Sequence, residues 1–213
     1  MDNQTSRYTS YWDSYYTKKL APDHASGFAA FVLPYTEPGR HLVDLGCGNG
    51  RDSLFFAQNG IEVTAVDMSE SAVGEVRRGS GDLPVSVVQD DFVKSKVLFD
   101  FEYDYCYSRW TIHSIDDAQQ GEFIKNVSGA LKDGGLFFIE TRTTGDDIFG
   151  MGRQVGPRSY IYDKHYRNFI DPRVLEAQLR QQSFELLYFE ESRGFSKTED
   201  SDPVLLRVVA KKI

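Results

Sequence analysis

The chain has 213 residues, a formal charge of −8 at neutral pH, and 40% hydrophobic residues including 14% aromatics, enough apolar mass for one core and no need of a second domain. That acidity excludes a broad electrostatic grip on DNA or RNA, whose phosphates demand a basic face, so no nucleic-acid partner is expected. No stretch approaches the ~18 apolar residues of a membrane span and the opening MDNQTSRYTSYWDSYY lacks an apolar signal region, so the expectation is a soluble, cytoplasmic protein without an integral membrane segment. Two cysteines, Cys47 and Cys106, lack the spacing of a metal site or a disulfide framework and read as free thiols.

Tyr8, Tyr11, Trp12, Tyr15 and Tyr16 recur at spacings of three and four, which puts most of them on one helical face. Such a helix either packs its rings on the core or forms a lid over a bound ligand. Asp23 to Phe31 predicts a second helix, with Phe28, Phe31 and Val32 inward and Pro34 beyond its end. His41 to Leu45 reads as a buried parallel strand, and Arg51 to Asn59 carries apolar residues at Leu54, Phe55 and Ala57 in helical register until Asn59-Gly60 stops it. Between them, Gly46, Gly48 and Gly50 make a strand-to-helix turn in which the backbone can bend sharply and let a flat ligand approach the N–H groups of the helix start.

From Gly60 the pattern repeats: strand Ile61 to Val66, helix Ser69 to Val76 with Ser69 as N-cap, strand Val85 to Val88, strand Phe101 to Tyr107, and a helix marked by Phe123, Ile124, Val127 and Leu131. Lys132-Asp133-Gly134-Gly135 turns into a fifth strand, Leu136 to Glu140. This alternation implies a parallel sheet with crossover helices. Thr141 to Phe169 breaks the rhythm, with four glycines and little periodicity, and is too long for a neutral connection. Asp171-Pro172 starts a helix through Gln182, and Phe184 to Phe189 and Val204 to Ala210 close the domain as strands.

The glycine turn does not fit a dinucleotide fingerprint, since Arg51 stands where the third glycine of G-x-G-x-x-G belongs. Asp44, two residues before Gly46, suits an ammonium group and would repel a pyrophosphate. Asp67 ends the second strand 23 residues after Asp44, where a carboxylate can accept both hydroxyls of a ribose, although an acid before a helix also serves merely to complement its dipole. Gln89-Asp90-Asp91-Phe92 follows the third strand and YDYCYSRWTIHSID spans the fourth.

Taken in this order, the motifs over residues 40–140 resemble those of the class I S-adenosylmethionine-dependent methyltransferases. The resemblance implies an α/β, Rossmann-like, seven-stranded, mostly parallel sheet with helices on both faces and the last strand antiparallel. It also implies S-adenosyl-L-methionine as cofactor, held by Asp44, Gly46, Cys47, Gly48, Asn49, Gly50, Asp67, Met68, Asp91, Phe92 and Ser108. Asp91 matches the family's adenine-amine position better than Asp90, and Ser108 and His113 face the methionine end. The single domain then divides into a helical lid over residues 1–36, with Trp12 and Tyr16 on the cofactor and Tyr15 on the substrate, a cofactor core at 40–140, a substrate-facing insertion at 141–170, and a closing helix and strands at 171–213. YWDSYYTKK, GCGNGRDSLFFA, HYRNFID and DPVLLRVVAKK resemble, more narrowly, small bacterial methyltransferases of cell-surface polysaccharide synthesis.

The acceptor expected is a small molecule or glycan methylated on oxygen, a sugar hydroxyl or a sugar-linked phosphate. His113 and Arg109 are the candidate catalytic groups; a histidine near its ordinary pKa of ~6.5 suits a general base, or it simply fixes the turn. Arg142, Arg153, Arg158, Lys164, His165 and Arg167 crowd the insertion. They read as a site for an anionic acceptor or as a solvated loop balancing Asp146, Asp147 and Asp163. A non-catalytic cofactor-binding subunit is the rival from another class, but Ser108, Arg109, Thr111 and His113 keep the methyl-facing segment polar, which favours catalysis. A nucleic-acid methyltransferase is disfavoured by charge and by the absence of an N/D-P-P-Y tetrad after the fourth strand.

Overall fold

A computed structural model of the chain describes Trp12, Asp13 and residues 24–213. Trp12 and Asp13 are helical, whereas Tyr8, Tyr11, Tyr15 and Tyr16 lie outside the described residues. The strands in chain order are β1 (His41–Leu45), β2 (Glu62–Asp67), β3 (Val85–Gln89), β4 (Tyr103–Arg109), β5 (Leu131–Arg142), β6 (Arg153–Gln154), β7 (Ser159–Tyr162), β8 (His165–Asn168), β9 (Phe184–Ser192) and β10 (Leu205–Lys212). Seven of them form one sheet in the order β3-β2-β1-β4-β5-β10-β9. Strands β1 to β5 pair in parallel, and β10 runs antiparallel to both of its neighbours. The reason is local: β9 and β10 are joined through residues 193–204 without a crossover helix, and a direct return leaves only the antiparallel direction.

The helices are α1 (Gly27–Val32), α2 (Arg51–Gln58), α3 (Glu70–Ser80), α4 (Val97–Asp100), α5 (Asp117–Ala130) and α6 (Pro172–Gln181). Alternate side chains of a strand point to opposite faces, so each strand feeds two cores. Leu42, Val63, Tyr105, Tyr107 and Phe138 meet α1, α2 and Val76 of α3 on one face; Val43, Cys106, Phe137, Ile139 and Val208 meet α4, α5 and α6 on the other. Capping sets the starts. Ser69 accepts from Ala72 N, Asp116 and Gln119 form a capping box on α5, and Asp171 caps α6 with Pro172 at its first position.

Four expectations are corrected. Of the helix expected over Asp23 to Phe31, Asp23 lies outside the described residues, and the described part starts at Gly27 and runs to Val32 because Ser26 caps it, its Oγ accepting from Ala29 N at 3.0 Å. Strand β4 starts two residues later than expected and leaves Phe101 at 56% exposure, outside the core. The Lys132–Gly135 turn is absorbed into β5, with Gly134 at φ +80° and a register shift between Tyr103 and Tyr105 taking up the bend. The insertion after β5 is not irregular: β6, β7 and β8 form a separate antiparallel sheet. Asp163 and Lys164 both take positive φ at its hairpin, the conformation that matches the twist of two short strands.

Candidate active site

Strand order reverses between β1 and β4, and open α/β sheets bind ligands beyond the carboxyl ends of their strands at such a switch point. The glycine turn after β1 and the Ser108–His113 segment after β4 therefore stand side by side. Gly46, Gly48 and Gly50 have φ of +81°, +57° and +80°, values that carry a steric penalty for any residue with a Cβ. A Cβ on Gly46 would collide with the Thr111 side chain, and one on Gly50, the N-cap of α2, would lie 2.7 Å from Val76 Cγ2. Two of the three glycines are thus demanded by the protein's own packing as well as by any ligand.

The acids of the cleft are buried. Asp44 is 2% exposed, its Oδ2 accepts from Ser53 Oγ at 2.6 Å, and desolvation pushes its carboxyl up to about 8. Asp67 is 8% exposed and accepts from Gly48 N and Ser69 N, each at 2.9 Å; burial raises it too. Neither has a cationic partner within salt-bridge distance among the described residues. Cys47 is partly buried, its thiol held well above its ordinary range by desolvation, and Asn49 and Met68 are partly exposed beside it. Past β3 the two acids divide their labour. Asp90 is spent on Asp91 N, Ser95 Oγ and Lys96 N, while Asp91 gives one oxygen to Val93 N at 3.0 Å and leaves the other 3.9 Å from Lys94 Nζ. Phe92, 9% exposed, packs edge-on to Phe123 and borders Gly46.

The segment after β4 is centred on a residue that the linear reading missed, Glu140 of β5. Fully buried, it accepts from Arg109 Nε and Trp110 Nε1 on Oε1, both at 3.0 Å, and from Arg207 Nε on Oε2 at 2.8 Å. Arg207 of β10 in turn stacks on Phe28, Phe31 and Phe195. The signal was present: single charges within LFFIE and LLRVV, since a charged side chain is almost never fully buried unless paired. Trp110 takes φ +59°, and Ser108, wholly buried, bonds Thr111 Oγ1. His113 is 2% exposed, with Nδ1 3.2 Å from Thr141 Oγ1 and 3.5 Å from Arg142 N. Burial first, and then the nearby His165, Arg142, Arg167 and Arg109, hold its pKa well below the ordinary range, so the ring is neutral and the value near 6.5 expected from sequence does not apply.

The insertion's cations are only partly gathered here. Arg142 binds Asp146 Oδ2 at 2.8 Å and lies over the Trp110 ring. His165 of β8 meets Trp12 edge-on at 5.1 Å, and burial with Arg167 and Arg142 brings its pKa down to about 3. Arg167 donates to Tyr162 O. Arg158 is committed to Asp117 Oδ1 at 2.7 Å, and Arg153 stands in the exposed strand β6. Asp13 accepts from Ser69 Oγ at 2.5 Å, so residues 12–13 touch both the Asp67–Ser69 side and the insertion side of the cleft. Two open depressions, of about 430 and 410 Å³, lie elsewhere, along Leu98–Glu102 and Lys125 and along Thr144, Asp171 and Glu191.

A family model described as a methyltransferase domain matches residues 16–188. Among curated relatives, the ubiquinone biosynthesis O-methyltransferase of Coxiella burnetii is 31% identical over 109 residues, 50% of this chain and 45% of that protein. The cypemycin N-terminal methyltransferase of a Streptomyces species is 31% identical over 118 residues, 54% and 47%. The chain spans about half the length of the first curated relatives it matches. A SAM-dependent methyltransferase structure from Methanosarcina mazei superposes with a TM-score of 0.75 over 86% of this chain and 97% of that one, at 16% identity. The 1,6-didemethyltoxoflavin-N1-methyltransferase of Burkholderia thailandensis, solved with 1,6-didemethyltoxoflavin and S-adenosylhomocysteine, gives 0.73 over 98% and 88%, at 21% identity. With the family model spanning most of its length and the same sheet topology beneath it, the chain belongs to the methyltransferase-domain family and has the fold of the class I S-adenosylmethionine-dependent enzymes.

Proposed function

We propose that the protein transfers a methyl group from S-adenosyl-L-methionine to an oxygen of a small-molecule or glycan acceptor. One observation carries the cofactor half: Asp44 and Asp67 are buried beside the glycine turn and, among the described residues, neither has a cation within salt-bridge distance. An uncompensated buried carboxylate is costly, and a ligand bringing an ammonium and a pair of ribose hydroxyls supplies what each lacks. Asp44 would hold the ammonium, and Asp67 retains lone pairs for hydroxyls beyond those used by Gly48 and Ser69. Asp91 and Phe92 would take the adenine amine and ring, with Gly46, Cys47, Gly48, Asn49 and Gly50 beneath and Met68 and Ser108 alongside.

When bound, the cofactor supplies an already activated methyl group on a sulfonium, so this chain's residues must align the acceptor and exclude water. Trp12, with Tyr15 and Tyr16, is proposed to cover the cleft. His113 Nδ1 accepts from Arg142 N–H at 3.5 Å and lies 3.2 Å from Thr141 Oγ1, which leaves the proton of the neutral ring on Nε2; to take a proton from an acceptor hydroxyl at Nε2, the ring must give up the Arg142 bond and donate from Nδ1 to Thr141 Oγ1 instead. Removing His113 should lower kcat by about 10²-fold for a hydroxyl acceptor and far less for an anionic one, which needs orientation rather than deprotonation. Oxygen as the target is supported by the ubiquinone enzyme's name, while the relatives named for nitrogen methylation make the assay decisive.

Calorimetry with S-adenosylmethionine and S-adenosylhomocysteine tests the cofactor site. Asp67→Ala should weaken both by more than tenfold, about 1.4 kcal/mol, from lost ribose hydrogen bonds; unchanged affinity would overturn the assignment. Incubation with S-adenosylmethionine and a panel of phosphosugars, glycans and amines, read by mass, then identifies the methylated atom.

A further inference from the structure

Arg158 is occupied by Asp117 and Arg153 faces solvent, so the cations that converge on the strand ends are others. Arg109 and Arg142 place their guanidinium carbons 5.2 and 5.0 Å from the centroid of one indole ring, that of Trp110. Each is tied at a single nitrogen to a buried carboxylate, Arg109 Nε to Glu140 at 3.0 Å and Arg142 Nη1 to Asp146 at 2.8 Å. Because Glu140 also takes Arg207 at 2.8 Å, three guanidiniums share two carboxylates. Like charges in a partly desolvated cluster repel, and although Asp52 acts on Arg109 at longer range, no second carboxylate bonds the Arg109 guanidinium among the described residues.

The geometry also says where a further negative charge fits. Held through Nε, Arg109 keeps 21% side-chain exposure, and its terminal nitrogens donate to no protein acceptor among the described residues. The edge left open is the planar two-nitrogen edge that fits a carboxylate or phosphate bidentately. Trp110, which donates its backbone N–H to Glu140 O at 2.8 Å and its ring N–H to the Glu140 carboxylate, is kept at φ +59°. Strain of that kind persists only where the surroundings over-determine it. Glu140 thereby fixes both the fork and the ring beside it.

We propose that Arg109, pinned by Glu140 and flanked by Trp110 and Arg142, is the subsite for an oxyanion, carboxylate or phosphate, carried by the methyl acceptor. The proposal rests on the methyltransferase reading above and makes Glu140 a positioning residue. It moves anion recognition from the insertion's arginines to the ends of β4 and β5.

Protein labelled with ¹⁵N-arginine, saturated with S-adenosylhomocysteine, is titrated with inorganic phosphate and separately with acetate while the arginine side-chain resonances are followed. Arg109 should shift saturably with either anion. Arg109→Lys, which keeps the charge but not the fork, should weaken the anion about tenfold, and Glu140→Gln about threefold to tenfold, with S-adenosylhomocysteine affinity within about twofold of wild type. Should Glu140→Gln fail to fold with Arg207 unpaired, Trp110→Phe retains that ion pair and should weaken the anion in the same sense. Binding of S-adenosylhomocysteine without any anion-dependent shift of Arg109 overturns the subsite. A tenfold loss of S-adenosylhomocysteine affinity in Arg109→Lys also overturns it, by giving the fork to the cofactor's own carboxylate. Failure of the wild-type protein to bind S-adenosylhomocysteine would instead remove the methyl-transfer reading on which the acceptor assignment depends.

Discussion

On the β1–β2 side of the cleft the chemistry is carried by backbone and buried acids: three glycines at positive φ, N–H groups aimed at Asp67, and Asp44 with a single serine for company. On the β4–β5 side it is carried by long side chains, with Arg109, Trp110, Arg142 and Arg207 arranged around Glu140 and Asp146. Among the described residues, Asp44 and Asp67 on the first side have no cation within salt-bridge distance, and on the second three guanidiniums bond two carboxylates. Under the proposed function, a ligand set that brings an ammonium and hydroxyls to the first and an anion to the second would suit both. The contrast also separates their sensitivities, since a turn fails through backbone strain and a side-chain cluster fails through unpaired charge.

Breaking the second side should cost the most. Glu140→Ala leaves Arg207 buried against Phe28, Phe31 and Phe195 without its carboxylate, and removing one partner of a buried pair costs about 3–5 kcal/mol. Denaturant unfolding measures it, and a loss below about 1 kcal/mol would mean that solvent reaches the Arg207 guanidinium. A smaller effect is expected on the first side. Gly50→Ala adds a Cβ 2.7 Å from Val76 at φ +80°, combining left-handed strain with overpacking for about 2–3 kcal/mol. Its unfolding midpoint should fall while the Arg109–Glu140 side of the cleft, which it does not touch, keeps its affinity for anions.

The smallest effect sharpens the charge argument. Burial pushes Asp44 from the ordinary carboxylate range up to about 8, so at neutral pH the folded protein keeps a proton that the unfolded chain releases. A group raised in this sense favours folding fully at low pH and loses its contribution as pH rises through the folded value. Asp44→Asn should therefore close a stability gap that widens between about pH 4 and 8, the window set by those two values. An ammonium would hold Asp44 ionised, so S-adenosylhomocysteine binding at pH 7 should release a fraction of a proton, seen by calorimetry in two buffers of different ionisation enthalpy. Equal heats in both buffers would show that Asp44 does not change charge on binding.

What the linear chain determined by itself was whatever a few neighbouring residues decide. Ser69, Asp171-Pro172 and Asn59-Gly60 mark helix ends because capping involves groups within one turn. The glycine spacing and the acids closing β1 and β2 are legible for the same reason, being a strand end, a turn and a helix start in series. The β7–β8 hairpin is equally local but carries a weak signal, four-residue strands around Asp163-Lys164 without clear periodicity. The other side of the cleft was decided only in three dimensions. Glu140 meets Arg109 across 31 positions and Arg207 across 67. That second meeting exists because β10 inserts between β5 and β9, placing Arg207 directly opposite Glu140 in the ladder. Strand order is settled by how the two apolar faces are buried together, and no window along the chain contains both partners of that choice.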